Sequence, residues 1–214
     1  MKPQYCAVIG DINKSRSLQR RNKVQEKFKD AVVIINKEFN DDIASKFLVT
    51  LGDEFQGLLT GPSKSFQLVQ RFRDLMDPVP FSFGIGIGAL STPLNIKEAI
   101  GMDGECFHRA RLALVRAKKA KQEIFFDFED DALTMVNALA AMLYRQKQLL
   151  SPSQKKILRL RNEGLNQLLI ARRLRITKQA VSKTLKKVPI AEIEEMDRAL
   201  NVYLDLCGKT ESTK

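Results

Sequence analysis

Three acidic residues stand where short apolar runs give way to turns: Asp11 after YCAVIG, and Asp53 with Glu54 after KFLVTLG. A pair of carboxylates brought into one cleft can hold magnesium ions. Such ions clamp the attacking and leaving oxygens of a phosphoryl transfer. The plainer reading is that Asp and Gly are common turn formers and that Asp11 caps the loop NKSR. Ser15 and Arg16 follow Asp11 at the start of a helical pattern, where they suit either a phosphate or a polar cap. His108 is the only histidine. It is either a general base or phosphate contact, or an ordinary surface histidine. A second set of chemically capable residues lies far downstream: Lys178, Gln179, Ser182, Lys183 and Lys186.

The elements that must position the acids can be read from periodicity. Residues 5–10 form an apolar run that predicts a buried strand. Val24, Phe28, Val32, Ile35 and Phe39 mark one helix over 18–39. Residues 46–51 and 54–60 predict two strands joined by a Gly52-Asp53 turn, a hairpin with a carboxylate at its tip. An amphipathic helix over 62–76, a strand over 81–88, a helix over 104–121 and a strand over 123–128 follow. Gly84, Gly86 and Gly88 alternate along the strand over 81–88, leaving room for either a ligand or a neighbouring helix. The run Lys118-Lys119-Ala120-Lys121 sits at a helix C-terminus, where the dipole favours cations. The order β-α-β-β-α-β-α-β is the split βαβ, ferredoxin-like layout with one added helix-strand unit. The first strand then lies centrally beside the hairpin, so Asp11 and Asp53 can share a cleft.

The downstream residues belong to a basic module. Residues 151–188 carry 11 Lys and Arg against one acid, Glu163, a net +10. Residues 1–150 come to +4 and residues 189–214 to −3. Ser151-Pro152 provides an N-cap with proline at the first helical position. Ile157, Leu158 and Leu160 line a helix ending at Gly164. Leu168, Leu169, Ala171 and Leu174 supply the apolar face of a second, and Thr177 caps a third over 178–187. Small Ala171 sits at a helix crossing, Ile176 plugs the turn, and Val181 and Leu185 face the core. Lys178, Gln179, Ser182, Lys183 and Lys186 are left on an outer face. Gln179 and Ser182 can read base edges, and the lysines suit phosphates. A solvated basic hairpin is the alternative.

The whole chain bounds the rest. At 214 residues two domains are expected, with 44% hydrophobic residues and a net charge of +11. The expected parts are a palm-like domain over 1–130, a connecting helix over 131–149, and a wingless helix-turn-helix domain with a C-terminal helix over 150–214. The apolar stripe Ile190, Ile193, Met196, Leu200, Leu204 and Cys207 on that last helix either packs on its own domain or forms a dimer contact. No run of ~18 apolar residues suggests a membrane span. The three cysteines form no CxxC pair, and a reduced, cytoplasmic setting is expected.

The motifs VIGDINKSR, TLGDEFQGLL, FGIGIG and GECFHRAR, in that order over residues 5–121, resemble the SatD family, small bacterial proteins named for secretion and acid tolerance. QLLIARRLRITKQAVSKTLKK looks like a helix-turn-helix of the sigma-factor and LuxR kind. More distantly, GDEF at residues 52–55 is similar to the hairpin of diguanylate cyclases, and the layout to the palm of class III nucleotidyl cyclases. That resemblance implies metal binding at Asp11 and Asp53, with Glu54 as helper and the Ile12 carbonyl completing the site. It also implies nucleotide contacts from His108, Arg109 and Arg111, beside the phosphate reading of Ser15 and Arg16 drawn from their position. The chain departs from those patterns. Leu51 replaces the first hairpin glycine, and His108 stands where class III cyclases carry an asparagine one turn from an arginine.

Together these readings describe an α+β domain, palm-like and cyclase-like, followed by an all-α helix-turn-helix domain. The expected function is a DNA-binding transcriptional regulator. Its first domain would act as sensor or dimerisation element, binding a nucleotide and Mg²⁺, and its partners would be double-stranded DNA and a second copy of itself. The alternative is a Mg²⁺-dependent nucleotidyl cyclase or transferase using Asp11 and Asp53; a pure interaction scaffold is a third reading.

Overall fold

A computed structural model describes residues 4–13, 15, 21–187 and 189–209. The elements run β1 (Gln4–Ile12), α1 (Arg21–Glu38), a single 3-10 turn (Asn40–Asp42), β2 (Ile43–Leu51), β3 (Glu54–Leu59), α2 (Ser65–Met76), β4 (Phe81–Ala89), α3 (Glu105–Ala120) and β5 (Ile124–Asp127). Four helices follow α4 (Leu133–Leu149): α5 (Pro152–Asn162), α6 (Gln167–Leu174), α7 (Lys178–Lys186) and α8 (Ile190–Lys209). The sheet order is β2-β3-β1-β4-β5. All pairs are antiparallel except β4 with β5. The α+β class and the split βαβ order expected from the sequence are both present, with β1 at the centre.

One face of the sheet carries α1 and α2. There the period-2 alternation of β3 and β4 delivers Phe55, Phe81 and Phe83 to Phe28 and Phe72. Phe55 and Phe72 stack at 4.3 Å. Each such pair adds about 0.5–1.5 kcal/mol beyond area burial. The opposite face carries α3, with a core of Ala7, Ile9, Leu58, Cys106, Ala110 and Leu114. A Cβ on Gly84 would land on the backbone of Ala110 and Leu114, and one on Gly86 on the backbone of Cys106 and Ala110. The alternating glycines therefore admit the helix, the second of the two readings above. Residue Ala99, in the connection to α3, is fully buried on this same face, its N–H donating to the Lys46 carbonyl at 3.2 Å.

Both outer strands are met by an asparagine. Asn36 of α1 accepts from the Phe47 N–H and donates to its carbonyl, both at 2.8 Å. Asn137 of α4 does the same for Phe126 of β5, at 2.7 and 3.0 Å.

The chain divides into two compact units, residues 1–140 with 200–214, and residues 141–199. The boundaries expected at 130 and 150 differ from these. The end of α8 belongs with the first unit, where the Tyr203 hydroxyl donates to Asp130 at 2.6 Å. In the second unit Ile157, Leu160, Ile170, Ala171 and Val181 form a core flanked by Leu165, Leu174 and Leu185. Ser151 and Gln154 form a capping box with Pro152 in the first turn of α5. Asn166 caps α6 and Thr177 caps α7. Among the described residues, no helix is long and apolar enough to cross a membrane.

Candidate functional site

Asp11 lies near the end of β1, in register with Glu54 at the start of β3 and with Ser82 of β4. Gly52, at φ 41°, turns the hairpin, and the Ile12 N–H donates to the Asp53 carbonyl at 2.9 Å. The sheet thus gathers Asp11, Asp53 and Glu54 at one end. α3 runs across the sheet with its last turns over this end, because its first turns pack on Gly88 and Gly86. Arg111 forks onto Glu54, bonding both carboxylate oxygens; its second amino group reaches Oε1 at 2.9 Å. The Thr50 hydroxyl adds a contact to the same oxygen at 3.2 Å. Lys118, two helical turns beyond Arg111, forms an ion pair with Asp11. The Ser15 hydroxyl donates to Asp53 Oδ2 at 2.6 Å.

The electrostatics follow from that crowding. Burial pushes the Asp11 carboxyl above its ordinary range; the hydrogen bond and charge of Lys118 work against this, and the charges of Asp53 and Glu54 add to it. The Arg111 guanidinium is held above its ordinary value, chiefly by its bonds to Glu54. The Glu54 side chain is only 10% exposed, whereas those of Arg111 and Lys118 are 48% and 44% exposed. The cations therefore close the site from the solvent side.

His108 and Arg109 are placed elsewhere. His108 Nε2 lies 2.7 Å from Asp103 on the exposed surface. Arg109 donates to the Ile87 carbonyl at 2.9 Å and pairs with Glu105 and Glu129. Three residues along a helix amount to about 4.5 Å, which carries His108 toward the start of α3, away from the acids at its end. Arg16 falls outside the described residues. Lys118, read from the sequence as a helix-end cation, is the residue that sequence reasoning missed. Its seven-residue spacing from Arg111 was the available signal, since that spacing returns to the same helix face.

The residues present do not fit a resident divalent cation. Both oxygens of Glu54 are engaged by Arg111, and Asp11 is paired with Lys118. Among the described residues, no three His, Cys, Asp or Glu side chains converge on a point that could hold a metal.

The second candidate site is α7. Its core residue is Val181, fully buried; Lys178, Gln179, Lys183 and Lys186 are exposed and Ser182 is half-buried. Among the described residues, Lys178, Lys183 and Lys186 form no ion pair. Three expectations nearby need correction. Leu168 and Leu169 are 47% and 45% exposed; they lie in the first turn, where the Asn166 side chain accepts from their N–H groups. Ile170, Ala171 and Leu174 face the core instead. The Ile176 side chain is also exposed; what closes the turn is its backbone N–H, donating to Ala171 at 3.0 Å.

A family model described as the SatD family matches residues 5–194. The chain belongs to the SatD family. No curated protein matches this SatD-family chain. Solved structures show distant likeness. A bacterial light-regulated adenylyl cyclase is 11% identical, with a TM-score of 0.42 over 57% of this chain and 74% of that one. The guanylyl cyclase Cya2 is 12% identical, with a TM-score of 0.38 over 53% and 70%. A regulator of polyketide synthase expression from Bifidobacterium adolescentis is 13% identical, with a TM-score of 0.27 over 93% and 85%.

Proposed function

We propose that this SatD-family protein is a cytoplasmic DNA-binding regulator whose second unit is a helix-turn-helix, with α7 as the recognition helix. The observation that supports this is the outer face of α7. Among the described residues, three lysines stand there without acidic partners, around Gln179 and Ser182, on a helix fixed from beneath by Val181. Unpaired surface cations in such an array suit duplex phosphates, while the amide and hydroxyl suit base edges. The first unit serves as its sensor or dimerisation element. A second copy supplies the other recognition helix, on half-sites about one DNA turn apart. The apolar stripe of α8 is not available for that pairing, since Ile190, Ile193, Leu200 and Leu204 are buried within the chain itself. Nothing in the geometry favours the alternative of magnesium-dependent nucleotidyl transfer, because Arg111 and Lys118 already hold two of the acids it would use.

Fluorescence anisotropy on duplex DNA at several salt concentrations tests the reading. Each phosphate-neutralising lysine contributes about 0.9 to the slope of log affinity against log salt. Changing Lys178, Lys183 and Lys186 together to Ala should flatten the slope by about 3 and weaken binding to every sequence. Gln179→Ala should alter sequence preference and leave the slope alone. Undiminished binding by the triple variant would remove the assigned face.

A further inference from the structure

We propose that Arg111 and Lys118 are built-in counterions that take the place of divalent cations at the carboxylate end of the sheet, and that Lys118 keeps metal out of it. Register forces the crowding. Asp11 and Glu54 are Cα partners across β1 and β3, and Asp53 is tied to β1 through its own backbone carbonyl. Three carboxylates collected this closely repel one another, and burial sharpens the cost. Some cation must answer them.

The fold answers with one helix. Arg111 and Lys118 lie seven residues apart on α3, on the stripe that faces the acids, and each takes one carboxylate. The third acid, Asp53, is met by the neutral Ser15 hydroxyl. The two cations do different work. Arg111 binds a buried Glu54 through both oxygens, a contact that fixes α3 against β3. Lys118 is a single ammonium on a flexible stem, paired with an Asp11 whose side chain is nearly as buried as that of Glu54. Lys118 is thus the removable plug. Without it, Asp11 loses its counter-charge at an end of the sheet that also holds Asp53 and Glu54, and two carboxylates are enough to recruit a hydrated Mg²⁺ or Mn²⁺. This inference is independent of the DNA reading, which rests on α7.

The test is a Mn²⁺ titration of the full-length chain followed by electron paramagnetic resonance, which counts free ion. Wild type should show only the weak binding that Asp11→Asn also shows. Lys118→Met should gain a saturable site, with affinity raised roughly tenfold or more. Lys118→Arg, which keeps the charge, should gain none, and adding Asp11→Asn to Lys118→Met should abolish the new site. Saturable, Asp11-dependent Mn²⁺ binding by wild type would overturn the proposal. So would a folded Lys118→Met protein that binds no more ion than wild type. If Lys118→Met does not fold, the comparison of wild type with Asp11→Asn still decides.

Discussion

Replacing Arg111 by Ala would strip the buried Glu54 carboxylate of its charged partner, and the cost can be bracketed from the two exposures. The Glu54 side chain is 10% exposed and, among the described residues, would keep the Thr50 hydroxyl alone, at 3.2 Å. Removing one partner of a fully buried pair typically costs about 3–5 kcal/mol, because a desolvated charge is left behind. Removing one partner of a surface pair costs about 0–1 kcal/mol. Arg111 is 48% exposed, so water can enter where the guanidinium was and hydrate one side of the carboxylate. The expected loss is therefore intermediate, about 2 kcal/mol. Neutralising the orphan with Glu54→Gln in the same chain should recover roughly half of that, since an amide is cheaper to bury than a carboxylate. Urea unfolding of wild type, both single variants and the double variant, followed by circular dichroism and by hydrogen exchange, gives the four corners of the cycle. Two probes are needed because a chain of two units need not unfold in one step. A loss below about 0.5 kcal/mol for Arg111→Ala, or a double variant less stable than that single one, would refute the argument that Glu54 depends on Arg111.

Two further predictions concern the backbone. Gly86→Ala places its Cβ on the main chain of α3, which cannot step aside as a side chain could, so a loss of about 3 kcal/mol is expected. Gly61→Ala, in open space, should stay within about 0.5 kcal/mol of wild type, and similar melting shifts for the two would count against the close approach of α3 to β4. Lys121 and Arg175 close α3 and α6 in the left-handed region, both at φ 54°. Glycine there escapes the ~1 kcal/mol Cβ penalty but carries more chain entropy in the unfolded state. Lys121→Gly and Arg175→Gly should thus be neutral to about 1 kcal/mol stabilising in denaturant melts, and a clear destabilisation of either would argue against the left-handed cap.

The sheet was legible because its signals are local. The two-residue turn at Gly52-Asp53, the alternation in FSFGIGIG and the stripe from Val24 to Phe39 each name an element without help from distant residues. The order of those elements then placed β1 centrally and brought Asp11 beside the hairpin. What stayed hidden depended on helix phase against the sheet. Arg109 and Arg111 look equivalent as letters, yet one turns to Ile87 and the other to Glu54. Lys118 looked like a response to the helix dipole because its partner lies more than 100 residues upstream. Ala99 gave no sign of burial at all, since a small residue in a polar connection carries no periodicity. In the basic module the caps at Ser151, Asn166 and Thr177 were readable from side-chain chemistry. The exposure of Leu168, Leu169 and Ile176 was not, because hydrophobicity alone does not say which turn of a short helix faces inward.

The two asparagines that meet β2 and β5 set a limit on how copies of this protein can assemble. An outer strand with free amides and carbonyls is a template on which another chain can add itself, the first step toward runaway stacking. Asn36 and Asn137 each spend a whole side-chain amide on one residue of such a strand, imitating the pairing a neighbour would offer. At Phe47 and Phe126 each outer strand is thus blunted against a second chain, and a variant that lost either amide should self-associate more readily through that edge.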